Sequence, residues 1–204
     1  MSAEEDALAR AENFAARVVS SITPLKVGVA RSECELEEVF RLRYEVVIHR
    51  GWGKPEDFPE HLERDTFDDR ALQIGVWKDG KLVGTTRLIL PCHGHRLPVE
   101  ETFGVALAHR DCVIEMGRTC RKPGITDAGQ RIVWGLLAQS WIEVRSLGGT
   151  EICGCFSSAM IRFYRRFGFR IEILSAGRLN WGEQRFPVLV RPADFIDVLR
   201  PAAI

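Results

Sequence analysis

Apolar side chains recur every three or four residues in four stretches of the chain, and this spacing predicts amphipathic helices. The four helices are expected at residues 3–20, 32–49, 126–147 and 157–167. The first carries its apolar stripe at Leu8, Ala11, Phe14, Ala15 and Val18. It ends before Pro24, because proline cannot continue a helix. The second begins with a capping box, in which Ser32 and Glu35 each accept a backbone N–H of the other.

Shorter apolar runs between these helices predict strands. They are expected at residues 25–30, 71–77, 82–90, 112–118, 151–156, 169–174 and 186–190. Asp79-Gly80 supplies a tight turn, so the second and third strands form a hairpin. A hairpin followed by alternating strands and helices predicts a single-domain α/β/α sandwich with a mixed central sheet and an N-terminal amphipathic helix. We assign residues 1–24 to an N-terminal helix extension and residues 25–204 to the domain.

Charge and hydropathy exclude several classes of protein. Lys and Arg number 28, and Asp and Glu also number 28. A nucleic-acid-binding protein would need a basic surplus, so we expect no nucleic acid partner. No apolar run approaches the ~20 residues that span a bilayer, and acidic residues at positions 4–6 differ from a secretory signal. We therefore expect a cytoplasmic protein with no transmembrane segment. The N-terminal helix is expected to pack on the domain; covering a lipid-binding groove or touching a membrane surface is the alternative.

Cysteine and histidine spacing gives no sign of a metal site. The six cysteines lack CxxC pairs and are expected to be reduced thiols. His93 and His95 share a loop but have no further cysteine or carboxylate nearby, so we expect no metal there.

Charged residues at apolar positions are the informative exceptions. Arg43 falls on the inner stripe of the second helix, and Arg87 and Glu115 lie mid-strand among apolar neighbours. A buried charge requires a partner, because its unpaired burial costs several kcal/mol. Asp65 and Asp68 lie in the long irregular segment 51–70 and are spaced to reach inward together. These groups are expected to form one network. Either the network only orders the loop, or it belongs to an active site.

The same residues lie in short motifs that occur in a fixed order. The motifs are Phe40-Arg41-Leu42-Arg43-Tyr44-Glu45, Trp52, Glu63-x-Asp65-x-Phe67-Asp68, Val83-Gly84-Thr85-Thr86-Arg87-Leu88, Phe103 and Glu115-x-x-Arg118. They resemble the acyl-homoserine-lactone (autoinducer) synthases and the N-acyl amino acid synthases. Farther along, the segment from Phe163 to Phe169 resembles the late helix–strand element of the wider GNAT N-acyltransferase superfamily. The resemblance implies a GNAT-like N-acyltransferase domain.

The resemblance also implies the substrates and the site. The donor would be acyl carrier protein, whose acyl-phosphopantetheine is a substrate, so no bound cofactor is expected. The acceptor would be a small amino-acid-like amine. By motif, the substrate-binding residues would be Arg43, Trp52, Asp65, Asp68 and Phe103. The catalytic residues would be Arg87, Glu115 and Arg118, with Glu115 as general base, directly or through water.

The chemistry of amine acylation suits these residue types. An amine attacks a thioester only when neutral, so a carboxylate must take its proton. The tetrahedral oxyanion then needs donors, and Gly117 within its strand suggests a bulge whose backbone N–H groups supply them. Arg118, Arg121 and Lys122 form a basic cluster at the strand end. We expect Arg121 and Lys122 to contact the carrier protein; a solvated strand end is the alternative.

Four functions remain open. An N-acyl amino acid synthase is favoured by Phe58-Pro59-Glu60 and Leu97-Pro98, which resemble that branch. A homoserine-lactone synthase, which uses S-adenosylmethionine to make a quorum-sensing signal, is favoured by His49-Arg50-Gly51-Trp52. An acetyl-coenzyme-A acetyltransferase would use Arg121-x-x-Gly124-x-Thr126 as a pyrophosphate loop, but Thr replaces the usual small residue. A non-catalytic acyl-binding module would use the network only to support a pocket.

Overall fold

One mixed sheet organises the part of the chain that this computed structural model describes, residues 2–126, 130–166 and 169–191. Its strands are β1 (Lys26–Val29), β2 (Ala71–Lys78), β3 (Lys81–Ile89), β4 (Val113–Arg121), β5 (Glu151–Ser157), β6 (Glu172–Ile173), β7 (Arg178–Asn180) and β8 (Glu183–Val190). Their order is β1-β2-β3-β4-β5-β8-β6, with β7 also paired to β8. β4 and β5 are parallel, and the other pairs are antiparallel. The predicted mixed sheet is confirmed.

Five α-helices accompany the described sheet. They are α1 (Ala3–Ser21), α2 (Glu33–His49), α3 (Pro98–Phe103), α4 (Arg131–Ser146) and α5 (Ser158–Arg166). The capping box of α2 is confirmed, since the Glu35 N–H donates to Ser32 Oγ and the Ser32 N–H to the Glu35 carboxylate. The predicted third helix began at Thr126, but α4 begins at Arg131, and residues 127–129 lie outside the described residues. The predicted end of α5 at Gly168 also lies outside them.

The hydrophobic core is divided by the sheet. Leu88 belongs to the large cluster under α1 and α4, whereas its neighbour Ile89 belongs to a smaller cluster under α3. Successive strand side chains point to opposite faces, so these helices cover opposite faces of the sheet. A third cluster lies under α2. This arrangement confirms the predicted sandwich and leaves Arg87 of β3 and Glu115 of β4 on the face covered by α3.

The N-terminal helix packs on the domain. α1 buries Ala7, Ala11, Ala15 and Val18, lies against α4, and is tied to it by an ion pair of 2.7 Å between Glu12 and Arg145. The small alanines allow close approach of the two helices. Among the described residues, no helix combines the length and the apolar character needed to cross a membrane.

Two elements differ from the sequence-based expectation. The connection over residues 91–110, expected to be irregular, contains α3, which starts at Pro98 and is capped where the Leu97 N–H donates to the Glu100 carboxylate. The strand expected at 169–174 is only two residues long and forms β6. Phe169 and Ile171, which precede it, lie on irregular backbone because their side chains pack into the large core cluster.

The hairpin of β7 and β8 was not predicted. β7 is short and mostly exposed, and Leu179 at its centre is 81% exposed, so no alternating pattern marks it. Its two turn residues, Trp181 and Gly182, both have positive φ (52° and 66°), as a tight hairpin turn requires. Tryptophan is an unusual residue in that conformation. Its presence there places a large ring beside β4.

Candidate active site

A cleft opens where β4 and β5 separate. The two strands pair only from Val113 to Glu115 on β4, and beyond this point they border a cavity of about 620 Å³. Gly154 lies next to the point where the strands separate. It approaches β4 closely, since a Cβ at this position would lie 2.6 Å from the Met116 carbonyl oxygen. The cleft is therefore built by the sheet itself, where no β4–β5 ladder bonds occupy the backbone.

A β-bulge in β4 shapes one wall of this cleft. Gly117 pairs with Arg87 and Cys120 with Thr85, so two β4 residues stand opposite a single β3 residue. One of the two, Arg118, has φ of 54°, which is uncommon for a residue with a side chain. The bulge predicted from Gly117 is thus present. It directs Arg118 into the cleft.

Three arginines and three carboxylates form a closed set of ion pairs, which we name the ion-pair ring. Each carboxylate bridges two arginines. In order around the ring the members are Arg43, Glu63, Arg118, Asp65, Arg87 and Asp68. Three positive and three negative groups balance, so the ring is neutral as a unit. It joins α2, β3 and β4 to the segment 51–70.

Arg43 is deeply enclosed within the ring. Its side chain is 2% exposed, and its Nε donates to Glu63 while its two terminal nitrogens donate to Asp68 at 2.8 and 3.0 Å. Burial alone would raise the pKa of Asp68. The hydrogen bonds and charge of Arg43, together with the charge of Arg87, outweigh burial and hold that pKa well below its usual range. Asp68 is therefore ionised at neutral pH and supports Arg43 rather than exchanging protons.

Arg87 and Arg118 meet at Asp65. Arg87 donates to one Asp65 oxygen at 2.6 Å, and Arg118 donates to the other at 3.0 Å. Arg118 also donates to Glu63 at 3.0 Å. The Arg87 side chain is 2% exposed, whereas Arg118 is 24% exposed. Of Arg87, Asp65 and Arg118, Arg118 is the residue that lines the cleft.

Glu115 lies next to the ring but outside its hydrogen bonds. Its carboxylate accepts the Val99 N–H at 2.8 Å, in the first turn of α3, and the residue is 4% exposed. Burial raises the pKa of Glu115 to about 7, although the Val99 N–H and the charges of Arg87 and Arg118 act in the opposite direction. Glu115 therefore exchanges its proton near neutral pH.

The remaining predicted residues lie in the cleft lining, beside it at the end of β4, or in the core under α3. Trp52 and Arg121 line the cleft, while Lys122 is exposed beside Arg121 at the end of β4. Phe103 lies in the hydrophobic cluster under α3 and, like Glu115, is not among the described residues that line the cleft. His93 and His95 lie in the exposed connection before α3. No group of three or more metal-ligating side chains occurs in the described ranges.

A comparison with protein families identifies the family of the chain. The family model described as "N-acyl amino acid synthase FeeM" matches residues 38–176, which is more than half of the chain and includes the whole ion-pair ring. The chain belongs to the FeeM N-acyl amino acid synthase family. The resemblance stated from the motifs is confirmed, and so is the prediction of an acyltransferase enzyme.

Several solved structures share the fold of this FeeM family member. FeeM from uncultured soil microbes, an N-acyl amino acid synthase, is 15% identical over 87% of this chain and 96% of its own, with a TM-score of 0.67. TofI, in complex with an inhibitor and MTA, is 23% identical over 86% and 95%, with a TM-score of 0.69. MesI, a CoA-dependent acyl-homoserine lactone synthase, is 22% identical over 87% and 94%, with a TM-score of 0.69. At such identities these structures establish the shared fold. No curated protein sequence matches significantly.

The family member's cleft contains residues that were not among the predicted site residues. Glu63 lies in the Glu63-x-Asp65-x-Phe67-Asp68 motif, but only the structure shows that it completes the ion-pair ring. Trp181 and Arg185 reach the cleft from the β7–β8 hairpin. Arg118 lies over the Trp181 ring at 4.4 Å from its centroid, and Arg185 lies over Trp52 at 5.0 Å. The one available signal was the Trp181-Gly182 pair, a bulky residue before glycine in a polar stretch.

A second, smaller cavity lies next to the cleft, on the α1–α4 face. It has a volume of about 80 Å³ and an almost wholly apolar lining. Met116, Phe156 and Tyr164 line both spaces and form the partition between them. Phe14 of α1 lines the far side of the smaller cavity. The family member therefore combines a charged cleft with an apolar extension.

Proposed function

We propose that the protein is an N-acyl amino acid synthase that transfers a fatty acyl group from acyl carrier protein to the amine of a free amino acid. The observation that carries the proposal is that two chemically different spaces lie side by side. The cleft of about 620 Å³ is lined by charged residues at its mouth, and its inner partition leads to an apolar cavity. A fatty thioester with a polar acceptor needs both environments side by side.

The acyl chain would pass the partition of Met116, Phe156 and Tyr164. The free space of about 80 Å³ behind it is small, so a long chain would displace side chains there. Methionine suits this position, because its unbranched side chain adapts to changing shapes. Each methylene that enters gains about 0.8 kcal/mol of hydrophobic stabilisation. Helix α1 would then act as the floor of the acyl site.

Proton removal from the amine is assigned to Glu115. Its pKa of about 7 suits a group that takes a proton at neutral pH and returns it to solvent. Its neighbours Met116 and Gly117 line the cleft, while its own carboxylate lies beneath them against Val99. The transfer would therefore run through a water molecule. The amine attacks the thioester carbon, the carbon–sulfur bond breaks, and the thiol leaves on phosphopantetheine.

The bulge would stabilise the oxyanion. From Met116 onward, β4 has no β5 partner, so its backbone groups on that side face the cleft. Backbone N–H groups fixed in this way stabilise negative charge without reorganising during the reaction. Arg118 adds a fixed positive charge beside them, held by Glu63 and Asp65.

The carrier protein would dock at the end of β4. Arg121 and Lys122 are exposed there, and Arg121 also lines the cleft, so the surface leads directly to the site. An acidic partner would be attracted by this pair. The thioester at the end of its flexible arm would reach the bulge from the same side.

Lactone synthesis from S-adenosylmethionine is the second candidate. Two observations favour it: TofI has been solved with MTA, and MesI is described as a CoA-dependent acyl-homoserine lactone synthase. Both share the fold of this chain. The identity of the acyl donor and the identity of the acceptor are therefore tested in one experiment.

The deciding experiment offers the protein several donors and acceptors at once. C8 to C16 acyl carrier proteins, the matching acyl-coenzyme A thioesters and acetyl-coenzyme A are incubated with amino acids plus S-adenosylmethionine, and products are identified by mass spectrometry. We expect linear N-acyl amino acids from the carrier-bound donors. An acyl lactone with methylthioadenosine would instead establish the second candidate. Acylation from acetyl-coenzyme A alone would contradict both.

A further inference from the structure

Arg185 differs from every arginine of the ion-pair ring in its partners. Arg43, Arg87 and Arg118 each donate to at least one carboxylate at 3.0 Å or less. Among the described residues, Arg185, on β8, has one carboxylate contact, with Glu183 at 3.7 Å, and the Glu183 side chain is 39% exposed. The Arg185 cation is therefore poorly compensated, although its side chain is only 16% exposed.

The Nε–H of Arg185 is buried and has no acceptor among the described residues. An unmet donor of this kind costs about 1–3 kcal/mol, and more for a charged group. Burial also lowers the pKa of Arg185, the charge of Arg118 acts in the same direction, and the Glu183 carboxylate only partly opposes them. A site that carries this cost without a partner is suited to an anionic ligand.

The Trp52 ring packed against Arg185 lies over the face of its guanidinium and does not occupy the N–H groups in the guanidinium plane. Trp52 covers one face of the guanidinium at 5.0 Å, and Gly182 packs so closely on the Trp52 ring that a Cβ there would lie 2.9 Å from it. The ring is thus held in place by the hairpin turn. Since Arg185 lines the cleft, a ligand there would meet the edge of the guanidinium. That edge presents parallel N–H groups, which match a carboxylate.

We propose that Arg185 binds the α-carboxylate of the acceptor, so that the cleft selects amino acids over simple amines. This inference rests on the proposed function and adds the residue that recognises the acceptor. Glu63 also lines the cleft, beside Arg118, and supplies a carboxylate for the ammonium end of the same molecule. A zwitterion then lies between Arg185 and Glu63, with its amine toward the β4 bulge.

The phosphate of the donor's arm is the other anion that enters this cleft. Two exposed arginines at the rim, Arg50 and Arg121, are better placed for it, because a phosphodiester remains close to solvent. Arg185 lies deeper, between the Trp52 ring and the hairpin. The acceptor carboxylate is therefore the ligand we assign to it.

The test compares pairs of acceptors that differ only in the carboxylate. Tyrosine with tyramine and phenylalanine with phenethylamine are acylated by wild type, Arg185→Gln and Arg185→Lys. We expect kcat/KM for the amino acids to fall roughly 10- to 100-fold in Arg185→Gln, as loss of charged hydrogen bonds predicts. The amines should be acylated at unchanged rates, so the preference for amino acids disappears. Arg185→Lys should recover part of it. Arg178→Gln, on the same hairpin but exposed, should behave as wild type.

Three outcomes would overturn the inference. One is an equal loss for amino acids and amines, which would make Arg185 structural. Another is an unchanged preference in Arg185→Gln. The third is a raised KM for the donor alone, which would place the pantetheine phosphate there. If no donor supports transfer, the proposed function fails separately. Calorimetric titration with the free amino acids then decides, since wild type should bind them and Arg185→Gln should not.

Discussion

The guanidinium of Arg118 stacks on the ring of Trp181, with 4.4 Å between its central carbon and the ring centroid. Arg118 stands on the β4 bulge and Trp181 on the turn of the β7–β8 hairpin, which cover the cleft from two sides. The same guanidinium donates to Glu63 and Asp65. One side chain thus couples the acidic segment, the bulge and the hairpin.

Replacing Trp181 with alanine should weaken acceptor binding more than the chemical step. A partly desolvated cation–π contact contributes about 0.5–2 kcal/mol, so we expect KM for the acceptor to rise roughly 2- to 30-fold with a smaller change in kcat. Steady-state kinetics with a saturating acyl donor measure both constants. Leu179→Ala, on the exposed side of the same hairpin, is the matched control. Unchanged kinetics in Trp181→Ala would show that the stack does not position Arg118.

Asp68→Asn should destabilise the fold strongly at neutral pH. The change keeps the shape of the side chain but leaves Arg43 and Arg87 with one carboxylate fewer in a buried setting. Breaking such a pair costs about 3–5 kcal/mol. Urea unfolding at pH 7 measures the difference from wild type. Asp69→Asn, one residue along and exposed, should change the free energy of unfolding little.

The same pair of variants gives a pH test with a defined sign. The pKa of Asp68 is lower in the folded protein than in the unfolded chain, so its contribution is complete above about pH 4 and is lost as the pH falls further. Asp68→Asn carries no such group. The gap in unfolding free energy between wild type and variant should therefore narrow below about pH 4. A gap that stays constant down to pH 3 would contradict the ionised pair.

Glu115→Gln should separate a catalytic role from a structural one. The folded pKa of Glu115, about 7, lies above its unfolded value. Its contribution to stability is then complete at low pH and is lost as the pH rises from about 4 through 7. The neutral Gln variant lacks this loss, so wild type should lose stability relative to Glu115→Gln over that range. Thermal unfolding from pH 5 to pH 8 measures this.

Activity provides the second readout for Glu115. As a general base it must be ionised, so wild-type kcat should rise as the pH passes 7. Glu115→Gln should lower kcat by about 10²- to 10⁴-fold above pH 7, where the wild-type carboxylate is ionised, and abolish that rise. Glu101→Gln, exposed on α3, serves as the control. If Glu115→Gln loses stability but keeps its activity, the residue only anchors α3 through Val99.

Phe14→Ala should shift the acyl preference toward longer chains. Phe14 borders the apolar cavity from α1, so its truncation enlarges the space beyond Met116 and Tyr164. Each additional buried methylene gains about 0.8 kcal/mol, which is roughly fourfold in affinity. Competition among C8 to C16 donors, read by mass spectrometry, measures the shift. Arg17→Ala, exposed on the same helix, should leave the distribution unchanged. An unaltered distribution in Phe14→Ala would remove α1 from the acyl site.

Elements with strong local signals were predictable from the sequence. The capping box of α2 and the Asp79-Gly80 turn fix their backbone through neighbouring residues, so both are recovered. α3 was missed because its six residues form only around Pro98 and its Glu100 cap, and β7 because it pairs through its backbone alone. Both elements depend on contacts with distant parts of the chain, and the spacing of apolar residues carries no information about such contacts.

The site was predictable wherever a charge interrupted an apolar pattern. Arg43 and Arg87 stand out in this way, and both prove to be buried. Glu63 has no such mark, because every acid in segment 51–70 is compatible with a solvated loop. Arg185 lies in a strand that also carries Glu183 and Gln184, so its inward direction was hidden. Which charges point inward is decided by the partners they meet, and those partners lie far away in the sequence.

The ion-pair ring has a consequence for how the protein folds. The acidic segment is held by Arg43, Arg87 and Arg118, and its contact with Arg118 joins residues 53 positions apart. Only when β3 has paired with β4 and α2 has docked are the three arginines in place, so the segment must settle after the sheet has assembled. We therefore expect the acidic segment to be the last of these regions to become ordered. On gradual denaturation we expect it to open first, so that activity would be lost while most of the sheet is still intact.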